Sequence, residues 1–244
     1  MKLKGKVAVV TGGAKRIGRA IALALADRGC HVAVTYLSSH REAAATVDSI
    51  RKRKVRGWAV PVDQREGDQV RQAVRKIRDH FGRIDILINS ASSFYATPLG
   101  TVTEAQWTDI IETNLAGPWR YAQAAAPILK RQKSGKIINI ADVAAFSPWP
   151  SYLPYCAAKG GLGTLTKGLA KALAPSVQVN AIAPGPILFP PDVSAKERRQ
   201  AIEKTLLKRC GSPEDIVQAV LFLLEGSDFI TGVILPVDGG RLLA

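Results

Sequence analysis

The fold is decided by the stretch KVAVVTGGAKRIG, residues 6–18. An apolar, β-branched run ends at Thr11, two glycines follow, and a helical pattern then extends to Arg28. A strand that passes through a glycine turn into a helix directs backbone N–H groups and the positive end of the helix dipole at a phosphate. We therefore predict a nucleotide-binding strand–helix unit at the start of the chain, although a glycine pair alone often marks only a turn.

Seven apolar runs alternate with helical patterns along the chain, and we predict a strand for each run. The runs are Lys6–Val10, His31–Tyr36, Val55–Val62, Ile84–Asn89, Lys136–Ala141, Val177–Ile182 and Gly232–Val237. Further helical patterns cover 40–53, 68–81, 103–131 (one long helix or two), 152–174 and 212–225. This alternation predicts an α/β fold: one Rossmann-type domain, residues 1–244, with a doubly wound parallel sheet and helices on both faces.

The composition is that of a globular protein, with 47% hydrophobic and 22% charged residues among 244. No apolar run reaches the roughly 18–20 residues of a membrane span, and no secretory signal is visible. We therefore expect a cytoplasmic protein without a membrane partner. The three cysteines are far apart and form no CxxC motif, which argues against a disulfide framework or a zinc site.

The net charge of +14 raises the question of nucleic-acid binding. The basic residues are spread over several helical segments, where solvated helix faces are the simpler explanation. Such a charge also attracts anionic small molecules. We expect a small-molecule substrate and no nucleic-acid partner.

The end of the second predicted strand favours NADPH as the cofactor. An NAD site usually places Asp or Glu about 20 residues after the glycines, where it binds the ribose 2′-hydroxyl. Residues 35–41 here read TYLSSHR, so hydroxyls, His40 and Arg41 stand where that acid would be. These groups suit a 2′-phosphate, and Arg16 could reach a phosphate or the adenine. Asp63 could accept from the adenine amino group or cap the next helix.

Tyr155 and Lys159 supply the candidate acid–base chemistry. Their i, i+4 spacing places both on one face of the helix after the fifth strand. An ammonium beside a phenol favours the phenolate and lowers the pKa of the tyrosine, so we predict a proton donor that works near neutral pH. A YxxxK pair is common by chance. Here Asp142 also stands at the end of the fifth strand, and Asn114 lies in the preceding helical pattern.

These motifs together resemble those of the short-chain dehydrogenase/reductase family, over essentially the whole chain. The segments that carry the resemblance are Thr11–Gly18, Asp63, Asn89–Ser92, Asn114, Tyr155–Lys159, Pro184–Gly185 and Val237–Gly240. The resemblance implies hydride transfer to or from a nicotinamide and assembly into dimers or tetramers. It also implies that Tyr155 is the acid, that Lys159 binds the nicotinamide ribose and tunes Tyr155, and that Asn114 supports a water-linked proton path.

Three departures from the usual family pattern are informative. Arg16 replaces the usual middle glycine, and Asp142 stands where the family normally has its catalytic serine. Ser90 and Ser92 replace an asparagine and a glycine in the usual Asn-Asn-Ala-Gly. These features resemble the pteridine reductase branch, which reduces dihydropterins, dihydrofolate or oxidised pterins with NADPH. In that branch the residue at the position of Phe94 stacks on the pterin.

The residue at position 142 bears on the substrate. A serine hydroxyl can donate to a ketone oxygen as it becomes anionic, whereas an ionised aspartate would repel it. Reducing a pterin C=N bond instead requires a proton on a ring nitrogen, and pterin N–H groups can donate to a carboxylate. We therefore hypothesise C=N reduction of dihydropterins or dihydrofolate, with proton delivery by Tyr155 and Asp142. Alternatively, Asp142 is a structural cap and the enzyme reduces a carbonyl, such as a 3-oxoacyl thioester or a sugar ketone. A third alternative is a non-catalytic binding protein on the same fold.

The predicted site comprises three groups of residues and a lid. The predicted catalytic residues are Asp142, Tyr155, Lys159 and Asn114. The predicted NADPH-binding residues are Gly12, Lys15, Arg16, Ile17, Gly18, Tyr36, Ser38, Ser39, Asp63, Gln64, Asn89, Ser90, Ala91, Tyr155, Lys159, Pro184, Gly185 and Ile187. The predicted substrate-binding residues are Ser92, Phe94, Asp142, Trp149, Tyr152, Tyr155 and Leu188. Residues 184–205 follow a strand end and begin with the least regular stretch of the chain, so they are a candidate substrate lid.

Overall fold

Strands and helices alternate along the chain in the computed structural model, which describes residues 1–189 and 193–244. The strands are β1 (Val7–Thr11), β2 (His31–Tyr36), β3 (Gly57–Pro61), β4 (Ile86–Asn89), β5 (Gly135–Ile140), β6 (Val177–Pro184) and β7 (Ile234–Val237). The helices are α1 (Arg16–Asp27), α2 (His40–Arg51), α3 (Gly67–Phe81), α4 (Glu104–Ile111), α5 (Gly117–Gln132), α6 (Leu153–Leu173), α7 (Ala195–Glu203) and α8 (Pro213–Glu225). Within the described ranges, no helix is both long and apolar enough to cross a membrane.

The strands form one parallel sheet in the order β3-β2-β1-β4-β5-β6-β7. The chain starts in the middle of the sheet, builds outward to β3, and then crosses back to place β4 on the other side of β1. The crevice outside the carboxyl ends of β1 and β4 is therefore a topological switch point, where such sheets bind ligands. The doubly wound α/β prediction is confirmed.

Apolar side chains cover both faces of the sheet. On one face α1 packs against α8, and Leu25 and Leu224 are fully buried. On the other face α3 packs against α5, and Ile77 and Leu129 are fully buried. Burial on two faces explains why the strands read as continuous apolar runs in the sequence.

The helical pattern over residues 103–131 forms two helices, α4 and α5. A π-helical segment, Glu112–Ala116, joins them. Thr103 begins α4 with a capping box that includes Gln106. The wider π turn changes the direction of the side chains that it carries, and Asn114 within it is fully buried.

The irregular structure that we expected after Pro184 is not found throughout, because Ala195–Glu203 form α7. Ser194 accepts a hydrogen bond from the backbone N–H of Glu197, and the Glu197 carboxylate accepts one from the backbone of Ser194. This capping box starts a helix in a segment with little apolar character. Whether residues 184–205 act as a lid stays a prediction, and residues 190–192 of that segment lie outside the described residues.

Candidate active site

A cavity of about 840 Å³ opens at the carboxyl ends of β1, β2, β4, β5 and β6. It occupies the topological switch point identified above. Every predicted cofactor and substrate residue other than Asn89 lines it. Of the predicted catalytic residues, Asp142, Tyr155 and Lys159 line it and Asn114 does not. The fold therefore brings nearly all of the predicted site residues into one place.

The turn between β1 and α1 forms a cradle suited to a phosphate. Gly12 has a φ of +63°, and a Cβ atom there would lie 2.8 Å from Cα of Ala91. Lys15 precedes α1 without a side-chain cap, and the first turn of the helix contains no acidic residue. The backbone N–H groups of that turn therefore stay available for an anion.

Arg16 has a left-handed backbone, with a φ of +52°. That conformation costs an L-residue roughly 1–2 kcal/mol, whereas glycine adopts it freely. Its guanidinium Nη2 donates to the carbonyl oxygen of Leu188 at 2.7 Å. In this structure Arg16 thus links the phosphate turn to the segment after β6, and a direct contact with a phosphate or adenine stays a prediction. Strain of this kind is typical of functional positions.

Hydroxyl groups border the cavity at the end of β2. Ser38 and Ser39 line it, and the Tyr36 hydroxyl shares a hydrogen bond of 2.8 Å with Nδ1 of His40. The first carboxylate after β2 is Glu42, which lies exposed on α2 outside the cavity lining. The position that would bind a ribose 2′-hydroxyl therefore offers hydroxyls, and this suits a 2′-phosphate.

The carboxylate of Asp63 is held by the guanidinium of Arg65. Arg65 Nε lies 3.0 and 3.1 Å from the two oxygens of Asp63, and Nη2 lies 2.7 Å from Oδ2. This hydrogen bonding holds the pKa of Asp63 below its usual range. The backbone N–H of Arg65 also donates to Oδ1. Asp63 therefore organises the turn after β3 and lines the cavity, but it does not cap α3, whose N-cap residue is Glu66.

Tyr155, Asp142 and Lys159 form the chemical centre of the cavity. The Tyr155 hydroxyl donates to Oδ2 of Asp142 at 2.8 Å, and Oδ1 of Asp142 accepts from the backbone N–H of Ala144 at 2.8 Å. Asp142 therefore caps the short helical turn after β5 with one oxygen and contacts Tyr155 with the other. Lys159 Nζ donates to the carbonyl oxygen of Ile140 at 2.9 Å and lies 5.5 Å from the centre of the Tyr155 ring.

Burial controls the pKa values of these three groups. Burial lowers the pKa of Lys159 to about 8. It raises the pKa of Asp142 above its ordinary value of 3.8, against the opposing effect of the hydrogen bonds from Ala144 and Tyr155. Burial and then the charge of Asp142 raise the pKa of Tyr155 well above 10. The expectation that Lys159 lowers the pKa of Tyr155 is therefore wrong for this geometry, because the ammonium donates to a backbone carbonyl instead.

An aromatic cluster stands beside the chemical centre. Phe94 stacks on Tyr152 with ring centres 4.8 Å apart and planes 3° apart. It also meets Tyr155 edge to face at 4.8 Å and Trp149 at 6.3 Å. All four rings line the cavity. The sequence predicts Phe94, Trp149 and Tyr152 as substrate-binding residues. In the structure the Phe94 ring contacts Tyr155 directly, and the rings of Trp149 and Tyr152 contact Phe94.

Two predicted residues hold the framework together instead of lining the cavity. Asn89 is buried outside the cavity lining, and its Nδ2 donates to Oδ1 of Asn139 at 2.8 Å, so its contact with the cofactor stays a prediction. Asn114 Nδ2 donates to the carbonyl oxygens of Ser93 and Ile110, and its Oδ1 accepts from Ser92 at 2.6 Å. Asn114 therefore anchors the loop after β4. A role in a proton path stays a prediction.

Several cavity residues escape the sequence reasoning because they lie far apart along the chain. They are Arg65, Asp109, Val193, Glu197, Ala201 and Arg241. Only α7 carried a local signal, namely Ser194 and Glu197 at capping-box spacing. The Arg65–Asp109 pair depends on how the ends of β3 and α4 meet in space, which no local pattern encodes.

The chain matches the family model described as enoyl-(acyl carrier protein) reductase over residues 12–241. One curated relative is the 3-oxoacyl-(acyl-carrier-protein) reductase FabG of Staphylococcus epidermidis. It is 37% identical over 242 residues, which cover 98% of this chain and 99% of the relative. The name of this relative backs the carbonyl alternative better than the pterin hypothesis.

Two solved structures are similar over almost the whole chain. A blue fluorescent protein from a metagenomic library, solved in complex with NADPH, is 34% identical with a TM-score of 0.90, over 99% of both chains. An NAD⁺-bound xylitol dehydrogenase is 28% identical with a TM-score of 0.92, over 98% of this chain and 100% of the other. These two structures, at 34% and 28% identity, differ in the nicotinamide cofactor that they bind.

Proposed function

The chain belongs to the short-chain dehydrogenase/reductase family, and from this premise we propose that it is an NADPH-dependent reductase with Tyr155 as proton donor. The proposal is supported by the meeting of Tyr155, Lys159 and Asp142 in a cavity at the switch point of the sheet. A non-catalytic binding protein would have no need to bury a lysine whose pKa falls to about 8 beside a phenol.

The residues around the cavity fit NADPH. The β1–α1 turn, through Gly12 and the uncapped start of α1, would hold the pyrophosphate. Ser38 and Ser39 would face the 2′-phosphate, and Asp63 would face the adenine. The solved complex of a relative with NADPH is consistent with this choice. Because an NAD⁺-bound relative is about as similar in structure, the case for NADPH rests on the hydroxyl residues at the end of β2.

The proton chemistry follows from the environment of Tyr155. When bound, NADPH supplies the hydride to the carbon that is reduced. Because its pKa is raised, Tyr155 keeps its proton across the working pH range and can give it to the neighbouring nitrogen or oxygen of the substrate. Lys159, whose ammonium lies 5.5 Å from the centre of the Tyr155 ring, would bind the nicotinamide ribose. Asp142, whose pKa is raised by burial, could return a proton to Tyr155 across this hydrogen bond when its carboxyl is protonated, and it would then take up a replacement proton from solvent in the cavity.

For the substrate we propose a flat heterocycle with a C=N bond, of the pterin or folate class. The observation that carries this proposal is the hydrogen bond from Tyr155 to Asp142, a carboxyl where a hydroxyl donor is usual in the family. A carboxyl there can accept from ring N–H groups and relay a proton to a ring nitrogen. The Phe94–Tyr152 stack beside it offers aromatic surface for a planar ring.

A 3-oxoacyl thioester is the second candidate, and the curated relatives favour it. The raised pKa of Asp142 gives this candidate a physical basis, because a protonated carboxyl could donate to a ketone oxygen as a serine does. The position of the carboxyl and the aromatic stack nevertheless fit the heterocycle better.

The experiment that separates the two candidates is a screen of NADPH oxidation. The panel contains dihydrobiopterin, dihydrofolate, dihydromonapterin and an acetoacetyl thioester, each with wild type and with Tyr155→Phe. We expect turnover of at least one dihydropterin or dihydrofolate that depends on Tyr155. Good turnover of the thioester with none of the three pterins would establish the second candidate instead.

A further inference from the structure

The loop that carries Phe94, residues 92–95, is held by a carboxylate from another element. Asp109 on α4 accepts from the Ser93 hydroxyl at 2.8 Å and from the Tyr95 hydroxyl at 3.2 Å, both on Oδ2. These two residues flank Phe94 on either side. Phe94 is therefore flanked by two hydroxyls that donate to one oxygen atom, in a loop that Asn114 also holds at Ser92 and Ser93.

The other oxygen of Asp109 faces the cofactor end of the cavity. Oδ1 accepts from Nη1 of Arg65 at 2.8 Å, while the remaining guanidinium nitrogens of Arg65 bind Asp63. A continuous row of charged hydrogen bonds thus runs from the turn after β3 to the loop of Phe94. Asp63, Arg65, Ser93 and Asp109 all line the cavity, so the row forms one of its walls.

We propose that Asp109 is a positioning residue that fixes the Phe94 loop for substrate, with Arg65 as its anchor to the adenine end of the cavity. The effect on substrate rests on the proposed function, in which Phe94 contacts the substrate. The fixing of the loop does not depend on that function and can be measured by itself.

A purely structural role does not account for the arrangement. The side chains of Arg65 and Asp109 are 40% and 28% exposed, and ion pairs this exposed contribute little to folding stability. The backbone N–H and the guanidinium of Arg65 and the hydroxyls of Ser93 and Tyr95 donate to the carboxylates of Asp63 and Asp109. The two hydroxyls belong to the loop of Phe94. These hydrogen bonds orient the loop of Phe94. Asp109 accepts from Arg65 on one side and from the loop on the other, so the loop has few alternative positions.

The first test measures the loop directly, by amide hydrogen exchange of peptides covering residues 90–97. Asp109→Asn replaces one carboxylate oxygen with an amide N–H₂ group, which cannot accept a hydrogen bond from Ser93, Tyr95 or Arg65. We expect exchange in this segment to accelerate on the order of tenfold, because local opening becomes easier. The matched control is Asp68→Asn, which removes an exposed aspartate that pairs with Arg71 on α3. Unchanged exchange in Asp109→Asn would overturn the proposal whatever the substrate proves to be.

The second test measures the consequence for substrate. With dihydrobiopterin, Asp109→Asn should raise KM by roughly 5- to 20-fold, as the weakening of one partly exposed contact allows. The kcat value, the Kd for NADPH and the Tm should change little. A structural role would instead lower Tm and the active fraction while leaving KM unchanged.

A double-mutant cycle shows whether Asp109 acts through Phe94. If it does, the KM effects of Asp109→Asn and Phe94→Ala will not multiply, and the double variant will resemble Phe94→Ala. Multiplicative effects would overturn the positioning role. Faster loop exchange in Asp109→Asn, combined with no reduction of any dihydropterin by wild type, would refute the proposed substrate while the fixing of the loop by Asp109 stands.

Discussion

The hydroxyl of Tyr155 lies 2.8 Å from Oδ2 of Asp142 and donates to it, so the proposed proton donor and a buried carboxyl share one hydrogen bond. Lys159 is one turn further along α6, yet it donates to the carbonyl oxygen of Ile140 and not to the phenol. In this structure the Tyr155 hydroxyl is therefore hydrogen-bonded to Asp142 and not to Lys159. This relationship determines which substitutions are informative.

Tyr155→Phe should lower kcat by roughly 10²- to 10⁴-fold, the usual contribution of a positioned general acid. The phenyl ring keeps the edge-to-face contact with Phe94, so the shape of the cavity should survive. NADPH titration monitored by tryptophan fluorescence should give a Kd close to that of wild type. A variant that retains near-native kcat would show that Tyr155 is not the proton donor.

Lys159 should leave a signature in the pH dependence of folding stability. Its pKa in the folded protein is about 8, below the value of about 10.4 for an unperturbed lysine. Between these pH values the unfolded state binds more protons than the folded state, so stability contributed by this group rises with pH. Relative to Lys159→Met, wild type should gain up to about 3 kcal/mol of unfolding free energy between pH 7 and pH 10.

Urea denaturation of the protein without ligands at the two pH values measures this difference. Lys171→Met on the exposed side of the same helix is the matched control and should follow wild type. Identical pH dependence in wild type and Lys159→Met would mean that the ammonium of Lys159 is not destabilised by burial.

The cofactor preference should respond to a carboxylate at the end of β2. Ser39→Asp introduces the acid that NAD sites use and places it where a 2′-phosphate would lie. The ratio of Kd for NADH to Kd for NADPH should fall by roughly 10- to 150-fold, as the loss of one charge-assisted contact implies. Ser49→Asp, with the same charge change farther along α2, should leave the ratio unchanged. Equal Kd values for the two cofactors in wild type would refute the assignment of NADPH.

The fold was predictable because each of its signals is local. Seven apolar runs and a glycine turn identify a doubly wound sheet, and the topology then brings Gly12, Ser38 and Tyr155 to one edge. The i, i+4 spacing placed Lys159 beside Tyr155 correctly, but spacing gives no hydrogen-bond partner. Burial and the nearby Ile140 carbonyl decided that partner, and both depend on the tertiary packing.

The residues that sequence reasoning missed or misplaced depend on distant contacts. Arg65 meets Asp109 only because the turn after β3 folds against α4. Asn89 ends a strand next to the cavity, yet its side chain turns toward Asn139 on β5 and not into the cavity. In both cases the residue type indicated a polar side chain correctly, and the fold determined which neighbour it contacts.

Substrate class is tested most sharply by changing Asp142 and Phe94 in parallel. Stacking a flat heterocycle on Phe94 would contribute about 1–3 kcal/mol, by analogy with base–aromatic stacking. Phe94→Ala should therefore raise KM for a dihydropterin by roughly 5- to 150-fold, yet hardly affect a small ketone. Phe229→Ala, which removes an exposed phenylalanine outside the cavity lining, serves as the matched control and should leave both KM values unchanged.

Asp142→Ser should act in opposite senses on the two substrate classes. It removes the carboxyl that can accept from ring N–H groups and share a proton with Tyr155, and it installs the hydroxyl that can donate to a ketone oxygen. At saturating NADPH, turnover of the dihydropterin should fall, and turnover of an acetoacetyl thioester should stay level or rise. The opposite signs matter because a general loss of folding would lower both rates together. If wild type reduces the thioester and ignores every dihydropterin, the protein is a carbonyl reductase, and a fall in thioester turnover in Asp142→Ser at an unchanged Tm would assign Asp142, in its protonated form, to the ketone oxygen.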